Sequence, residues 1–518
     1  MSRPFNGKSY LCLGLCLILG STIRIWNFWE SSLWLDEFAT HWAAAAPSAG
    51  ECWERSLNFL ANSPFYFFIV RISVLTFGES EFALRLPSVL AGIFSIYLVY
   101  LLGRKAFSDE TALMAAWCFA LHPWFIDQSQ NARAYSLAVC FTLFASLSFF
   151  RAFDSRKIPD VLLYATASAC LIYLQFLFAL FVVFQSVFWL YLIIISKEAT
   201  RREAFKPWLF AQLAMAVLIS PILSQVHRIW LRRQGLQYQI KTDIPYFLAL
   251  VGPEILIFIA LTFSFLLVYL FLRISLRQKP GFASSSTRSH CLSYFLIWFV
   301  LPWPFYLLAY KISGSNSMLI LRYLIIYFIP SSFFWGWVIA SVRMPKFKTL
   351  WISTFLLLNF SLYLYPNFRL NRQFSTSHGE DWRGAIRYLE SNSPDKVLIL
   401  LRSGLVEGDL VLNSEIRDTR WKELIHSAFG SFYVRKDWRI IDLPYRWKIP
   451  SANSYLEREV IPQIVKSTEF WLVVRMGLGS DDFVRSFQNA IAEQKTLRLK
   501  ADKKIDRFGL GLIHYYNE

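Results

Sequence analysis

Long apolar runs recur along the first 365 residues, and they constrain the fold more than any other feature of this sequence. Hydrophobic residues make up 55% of the 518-residue chain and aromatic residues 18%, which is too apolar for a soluble protein of this size. Runs of about 17 to 25 residues, the length that crosses a bilayer as a helix, lie at 10–28, 82–103, 110–126, 133–152, 160–178, 180–196, 207–224, 254–274, 291–310, 320–341 and 348–365. The sequence therefore predicts an α-helical polytopic membrane protein with about eleven transmembrane helices.

A shorter apolar run, from Pro64 to Phe77, decides the predicted topology. It carries Arg71 and is too short for a span, so an interfacial or re-entrant helix is expected. If the run stays on the outer face, the predicted cytoplasmic loops hold almost all of the loop-clustered Lys and Arg, as the positive-inside rule requires. The same rule explains the net charge of +17 without nucleic acid as a partner. Residues 29–81 then form one long outer loop, a length that indicates function.

The composition changes abruptly after Tyr365. Short β-rich runs, such as 396–401, 439–442 and 470–475, alternate with helical patterns at 382–391 and 481–495. This alternation predicts a small α/β domain. We therefore expect a transmembrane catalytic domain over residues 1–365 and a soluble α/β domain over residues 366–518. Eleven crossings from a cytoplasmic N-terminus place the soluble domain on the outer side, in the periplasm or its equivalent.

Two adjacent carboxylates, Asp36 and Glu37, follow the first apolar run. Acids beside a first membrane helix are often only solvated loop residues. An acid held at the membrane edge can instead be a tunable general base, because desolvation raises its pKa and cations lower it. Asp127 is a candidate second acid, which would position an acceptor or join Asp36 around a divalent metal ion. His41 shares a face with Glu37 if the segment is helical, although a single His is more often a surface residue than a metal ligand.

Three arginines begin predicted spans on the same predicted face as Asp36. They are Arg85, Arg133 and Arg322. An arginine at a helix end commonly extends to lipid headgroups. The guanidinium group also binds phosphate through paired donors, so these three side chains are candidates for holding a phosphate at headgroup depth.

Several short motifs together resemble the GT-C-type membrane glycosyltransferases, in particular the branch with protein O-mannosyltransferases and aminoarabinose transferases of lipid A. The motifs are Trp34-Leu-Asp-Glu37, Asn62-Ser-Pro-Phe-Tyr66, Phe77-Gly-Glu-Ser-Glu-Phe-Ala-Leu-Arg-Leu-Pro-Ser88, Asn131-Ala-Arg-Ala-Tyr-Ser-Leu137 and Arg322-Tyr-Leu. The likeness covers residues 10–155 well and the soluble tail only weakly, through Glu380-Asp-Trp-Arg383. The sequence departs from the family where Asn131 replaces a frequent Glu.

The resemblance implies an inverting glycosyltransferase that uses a polyprenyl-phosphate-linked sugar donor at the outer membrane face. Asp36 matches the family's acid in the first outer loop, and Glu37 is the acid beside it. Asp127 is a further candidate acid inferred from its position in the sequence, not from a motif match. Trp34, Tyr135 and Tyr323 are expected to line the acceptor or donor pocket. The acceptor, which is a lipid, a glycan or a protein, and the sugar are left open, and so is a divalent metal ion as cofactor.

The alternative is a transporter or flippase of a lipid-linked saccharide. Transporters tend to place ionisable residues or broken helices at the bilayer midplane. In this chain the central parts of the spans are nearly free of charge, with Gln175 and Gln185 as the main polar interruptions. This distribution favours chemistry at one membrane edge. The short loops favour a bacterial inner membrane.

Overall fold

The computed structural model describes most of the chain, with gaps. It covers residues 7–60, 64–196, 198–235, 291–300, 302, 305, 321–342, 348–357, 380–412, 418–429, 432–434, 436–447, 450–476, 480–492, 499–505 and 509–517. The expected span at 254–274, the last parts of the expected spans at 291–310 and 348–365, and Asn62-Ser63 lie outside these residues.

Helices dominate the first two thirds of the chain. They are α1 Gly7–Ile25, α2 Leu35–Ala44, α3 Ala49–Glu54, α4 Phe65–Phe77, α5 Glu81–Ala106, α6 Asp109–Ala120, α7 Pro123–Ser129, α8 Tyr135–Ser155, α9 Ile158–Leu174, α10 Ala179–Ile195, α11 Glu198–Gly235, α12 Cys291–Val300, α13 Ile325–Ser341 and α14 over 348–357. Four of the described stretches are long and apolar enough to cross a membrane: Glu81–Ala106, Tyr135–Ser155, Phe176–Ile195 and Glu203–Leu223. The protein is therefore a multi-pass membrane protein, as predicted.

One of the predicted membrane spans differs in detail from the structure, and the short run at 64–77 has the length that was expected. The run expected as one span over 110–126 is two helices, because α6 ends at Ala120 and α7 begins at Pro123. Proline lacks an N–H group and fits the first turn of a helix, so it starts a new one here. The run at 64–77 forms α4, whose 13 residues extend about 20 Å and fall short of the roughly 30 Å hydrocarbon core.

The chain folds into two compact units that do not follow a single boundary. The first unit contains residues 1–26, 56–70 and 85–364, and it is called here the membrane unit. The second unit contains residues 27–55, 71–84 and 365–518, and it is called here the loop–sheet unit. Most of the predicted long loop thus folds together with the C-terminal part of the chain.

Close helix packing holds the membrane unit together. A Cβ atom added at Gly336 in α13 would lie 2.5 Å from the Ala115 backbone nitrogen and 2.8 Å from the Thr111 carbonyl oxygen in α6, so only glycine permits this approach. The buried Arg24 guanidinium donates to the Ala120 carbonyl at 2.9 Å and to the Gly20 carbonyl at 3.0 Å. A cation at the carboxyl ends of α1 and α6 offsets the negative ends of both helix dipoles.

A five-stranded sheet forms the centre of the loop–sheet unit. Its strands are β1 Leu398–Arg402, β2 Arg439–Asp442, β3 Glu469–Arg475, β4 Leu499–Ile505 and β5 Leu510–Asn517. The order is β2-β1-β3-β5-β4; β1 is parallel to β2 and β3, and β5 is antiparallel to β3 and β4. Further helices are α15 Trp382–Asn392, α16 Arg420–Ile425, α17 Pro450–Tyr455, α18 Ile461–Val465 and α19 Ser480–Ala492. The α/β elements predicted at β1, β2, β3, α15 and α19 are confirmed.

Both faces of this sheet are covered, which explains the continuous apolar runs of β1 and β3. Phe483 and Phe487 of α19 pack with Leu400 and Leu472 in the core on one face. On the other face, the Tyr388 ring of α15 meets the Trp471 ring edge-on. A strand that is buried on both sides has no need of polar alternation.

Candidate functional site

Asp36 lies in the first turn of α2, within the loop–sheet unit. The helix begins after Trp34, whose backbone is extended, and Asp36 is partly exposed among buried neighbours. The Thr40 hydroxyl donates to the Asp36 carbonyl at 3.1 Å and supports this turn. A carboxylate at a helix N-terminus is stabilised by the helix dipole. Asp36 is thus a partly exposed acid in the first turn of a helix, and its part in the chemistry stays a prediction.

Glu37 follows in the same turn and is completely buried. One of its carboxylate oxygens accepts a hydrogen bond from the Trp34 N–H at 3.4 Å. A Glu at the third helical position that reaches back to the cap residue satisfies one of the open N–H groups of a helix start. Glu37 therefore stabilises the turn that carries Asp36, while a part of Glu37 in the chemistry stays a prediction.

His41 lies one helical turn after Glu37, as the spacing predicts. Its Nε2 atom is 2.7 Å from the Glu79 Oε2 atom, and the Phe432 ring packs against the imidazole with ring centroids 4.8 Å apart. Burial lowers the pKa of His41, and the hydrogen bond to Glu79 offsets part of this shift. The pair joins α2 to the short connection that precedes α5.

The segment Glu380-Asp-Trp-Arg383 makes two sets of contacts with the loop residues of its own unit. The carboxylate of Glu380 accepts hydrogen bonds from the Leu35 N–H at 3.2 Å, the Trp382 indole N–H at 2.8 Å and the Arg475 Nε–H at 2.7 Å. Glu380 is only 3% exposed, so these three donors compensate a buried charge. The weak motif in the soluble tail is thus bound directly to the start of α2.

Arg383 makes the second set of contacts with the loop residues. Its guanidinium donates to the Glu30 carbonyl at 3.1 Å and the Ser31 carbonyl at 3.3 Å, and it forms an ion pair with Glu81. The Tyr433 hydroxyl donates to the same Glu81 carboxylate at 2.7 Å and accepts from the Leu33 N–H at 2.9 Å. Burial raises the pKa of Tyr433, so the phenol stays protonated and remains a donor.

A cleft in the membrane unit contains Arg133. Its empty volume is about 290 Å³, a figure that includes open solvent at its mouth. It is lined by Tyr66, Phe67, Arg133, Ala134, Tyr135, Leu174 and Gln175. A guanidinium, two phenol groups and one amide in a largely apolar wall provide several hydrogen-bond donors for an anion.

Ser88 and Ser136 set the backbone around this cleft. The Ser88 hydroxyl donates to the Arg133 carbonyl at 3.2 Å and lies 3.2 Å from the Tyr66 hydroxyl. The Ser136 hydroxyl donates to the Ser88 carbonyl at 2.7 Å, which ties α8 to α5. Gln175 reaches the wall because α9 ends there and the backbone becomes extended.

Asp127 lies in α7 and is held by neighbouring amides. The Gln128 side chain donates to its Oδ2 atom at 2.7 Å, and the Asn131 amide donates to its carbonyl oxygen at 3.0 Å. Asn131, which replaces the family's frequent Glu, thus supports Asp127 through the backbone. Asp127 is partly exposed, and its role as a second acid stays a prediction.

The remaining predicted residues also have defined positions. Arg85 is completely buried in the second turn of α5, and the Tyr135 and Tyr323 rings lie 6.1 Å apart between centroids. The backbone of Arg322 belongs to a 3₁₀ turn over Leu321–Leu324, and its side chain lies outside the described residues. Trp34 is buried beside the acids of α2.

The structure thus brings the predicted residues together in two groups. Trp34, Asp36 and Glu37 share one turn of the loop–sheet unit, and Arg133 and Tyr135 share the cleft of the membrane unit with Tyr323 close to Tyr135. Sequence reasoning did not predict the partners of the first group. Glu380 stands in a weak motif, and no motif or spacing pointed to Arg475 or Tyr433. Within the described residues, no group of three His, Cys, Asp or Glu side chains is arranged to hold a metal ion.

The chain is similar to known proteins in one segment of its sequence and in its fold. Residues 61–224 match the family model described as dolichyl-phosphate-mannose-protein mannosyltransferase. A putative mannosyltransferase of Bacillus subtilis, YkcB, is 26% identical over 157 residues, which are 29% of this chain and 21% of that protein, so the chain matches about a fifth of this curated relative.

The structure of ArnT from Cupriavidus metallidurans in the apo state aligns with a TM-score of 0.54 and 12% identity, over 98% of both chains. ArnT bound to undecaprenyl phosphate aligns equally well. These likenesses confirm the resemblance predicted from the motifs: the chain has the fold of the GT-C-type membrane glycosyltransferases, and residues 61–224 form a segment like that of the mannosyltransferase family.

Proposed function

We propose that the protein is an integral-membrane inverting glycosyltransferase, which moves a sugar from a polyprenyl-phosphate donor to a lipid, glycan or protein acceptor. The observation that carries the proposal is the cleft with Arg133, Tyr66 and Tyr135, because it lies within the segment that matches the mannosyltransferase family. The ArnT structure with undecaprenyl phosphate shows that this fold can bind a polyprenyl phosphate. We place the protein in a bacterial inner membrane with the reaction and the α/β domain on the outer side.

In the proposed reaction, Asp36 accepts the proton of the acceptor hydroxyl or amine. The freed lone pair of that oxygen or nitrogen attacks the anomeric carbon from the side opposite the phosphate, and the bond between the anomeric carbon and the phosphate oxygen breaks. The polyprenyl phosphate leaves with both electrons of that bond, so the configuration inverts. Arg133 stabilises the charge of the leaving phosphate, with Arg85 and Arg322 as further candidate cations and Asp127 as a second acid.

Asp36→Asn tests the proposal, because it keeps the shape of the side chain and removes the base. Purified protein in lipid nanodiscs is supplied with radiolabelled polyprenyl-phosphate sugars, hexosyl and pentosyl, and with a crude cell-envelope acceptor fraction. Loss of a general base costs about 100-fold to 10,000-fold in rate, so we expect transfer by the variant to fall by at least about 100-fold while donor binding is kept.

Asp481→Asn is the matched control. Asp481 also lies in the first turn of a helix, α19, and it is exposed, so we expect wild-type transfer. Equal transfer by the Asp36→Asn variant and the wild type would contradict the role of Asp36. Absence of transfer from every donor in the wild type would contradict the proposed function, and a lipid-scrambling assay would then follow.

A further inference from the structure

We infer that Glu380 is a positioning residue, which caps α2 from the C-terminal part of the chain and thereby fixes Asp36 for catalysis. The inference rests on the proposed function for the role of Asp36. The cap itself rests only on the contacts within the loop–sheet unit.

The start of α2 needs acceptors for its open N–H groups, as every helix does. Three consecutive backbone N–H groups before Asp36 have side-chain acceptors. The Leu33 N–H donates to the Tyr433 hydroxyl, the Trp34 N–H to Glu37 and the Leu35 N–H to Glu380. Leu35 is the first residue of the helix, so Glu380 accepts from the N–H directly before Asp36.

Backbone carbonyl groups of the same segment also have hydrogen-bond partners. Arg383 donates to the carbonyls of Glu30 and Ser31, and its own N–H donates to the Ser32 hydroxyl at 3.2 Å. The backbone from Glu30 to Leu35 is therefore held through both its donors and its acceptors by the segment that contains Glu380 and Arg383. A catalytic acid that is misplaced by about 1 Å can lose roughly 100-fold in rate, so this restraint matters for Asp36.

Glu380 is itself fixed by the sheet. Arg475, which donates to Glu380 at 2.7 Å, is the last residue of β3. Gly404, just after β1, has a φ angle of +86°, and a Cβ atom there would lie 2.8 Å from the Arg475 Cδ atom. Glycine therefore lets the Arg475 side chain pass the end of β1. A chain of contacts leads from the sheet through Arg475 and Glu380 to Leu35 and Asp36.

The contacts of Arg475 lie at the edge of the sheet where the parallel strands end. The parallel strands β1, β2 and β3 end on the same side, and the strand order reverses direction between β1 and β3. In open α/β sheets this switch point is where ligands usually bind. Here Arg475 at that edge donates to Glu380, and Glu380 accepts from the first residue of α2. The edge of the sheet therefore supports the helix that carries Asp36.

The experiment compares Glu380→Ala, Glu380→Gln and a matched control, Glu469→Ala. Glu469 is also a partly buried, paired carboxylate, bonded to His514 at 2.8 Å, but it lies at the opposite end of β3 from Arg475. Each variant is assayed for sugar transfer in nanodiscs and for amide hydrogen exchange by mass spectrometry. Unchanged exchange in peptides of β1 and β3 shows that the domain is folded.

We expect Glu380→Ala to lower kcat by about 10-fold to 100-fold with the KM for the donor changed by less than about 3-fold, because the acid is displaced and the donor site is not. Glu380→Gln keeps an acceptor oxygen for Leu35 and should retain more activity. Exchange in peptides covering residues 30–38 should become at least about 10-fold faster in Glu380→Ala and stay unchanged in Glu469→Ala.

A double variant separates positioning from general damage. If Glu380 acts through Asp36, Glu380→Ala causes no further loss of rate in the Asp36→Asn background, since the effects of substitutions at interacting residues are not additive. A full multiplicative loss, or wild-type kcat and exchange in Glu380→Ala, would overturn the inference. A wild type that transfers no sugar would overturn the proposed function instead, and the exchange measurement would still decide whether Glu380 holds the start of α2.

Discussion

Asp442 makes the stability of the loop–sheet unit depend on pH. It is the last residue of β2 and is 5% exposed. Burial raises the pKa of Asp442 to about 8, and the positive charge of Lys422 offsets part of that shift. Its Oδ2 atom is 3.0 Å from the Nε2 atom of His426, whose own pKa is lowered by burial, so the imidazole is neutral at pH 7. Asp442→Asn replaces the carboxyl with a neutral group of the same shape.

The sign and size of the effect follow from linkage. When folding raises the pKa of a carboxyl group, the folded state prefers the protonated form. The free energy of unfolding therefore falls as the pH rises from the unfolded pKa of 3.8 through the folded pKa of about 8. Relative to a carboxyl with an unshifted pKa, Asp442 lowers the free energy of unfolding by about 3 kcal/mol near pH 6 and by about 5.5 kcal/mol near pH 8.5. The stabilisation by Asp442→Asn should therefore be about 2 to 3 kcal/mol larger at the higher pH.

Thermal unfolding of the purified protein in detergent at both pH values measures this difference. For a unit of roughly 150 to 250 residues, 1 kcal/mol corresponds to about 2 to 4 °C in Tm, so the gain in Tm should be about 5 to 10 °C larger near pH 8.5. Asp395→Asn is the control, because the Asp395 side chain is 90% exposed and should show no such pH dependence. A lower Tm for Asp442→Asn at both pH values would refute the reasoning, since it would mean that His426 stabilises the ionised carboxylate.

Two further predictions concern the membrane unit. Arg133→Lys keeps the charge and loses the planar pair of donors, so titration of nanodisc-bound protein with a polyprenyl phosphate should give an affinity about 5-fold to 30-fold lower, and an unchanged affinity would place the phosphate elsewhere. Gly336→Ala forces a Cβ atom against the Ala115 backbone and should cost about 1 to 3 kcal/mol in stability, seen as a lower Tm. Gly14→Ala, with nothing within 4 Å of the added carbon, should leave the Tm unchanged or slightly higher, because alanine favours a helix more than glycine does. A wild-type Tm for Gly336→Ala would mean that the two helices separate at no cost.

The parts of the fold that could be predicted are those with a local signal. Continuous apolar runs mark α5 and α8 because the membrane demands them, and they mark β1 and β3 because both faces of the sheet are covered. The break between α6 and α7 was missed because the residues on both sides of Pro123 are apolar. The strand β4 was missed because its sequence, Leu-Lys-Ala-Asp-Lys-Lys-Ile, is rich in lysine, as befits an edge strand that must resist further pairing.

The candidate site divides in the same way. Asp36 and Arg133 could be proposed because they stand in short motifs. Their supporting residues depend on contacts between distant parts of the chain: Leu35 and Glu380 are 345 positions apart, and Leu33 and Tyr433 are 400 positions apart. No periodicity or spacing in one sequence reports such a pairing, because each partner is locally an ordinary loop or helix residue.

The division of the loop–sheet unit along the chain has a consequence for biosynthesis. Residues 27–55 leave the ribosome long before residues 380–475, whose side chains complete the turn around Asp36. Contacts of such high sequence separation form late in folding. The segment with the acid must therefore wait, incompletely ordered, while several membrane helices insert. Assembly of the turn that carries Asp36 thus becomes a final step, and a nascent chain released before Glu380 would hold its spans in the membrane without an ordered acid at this position.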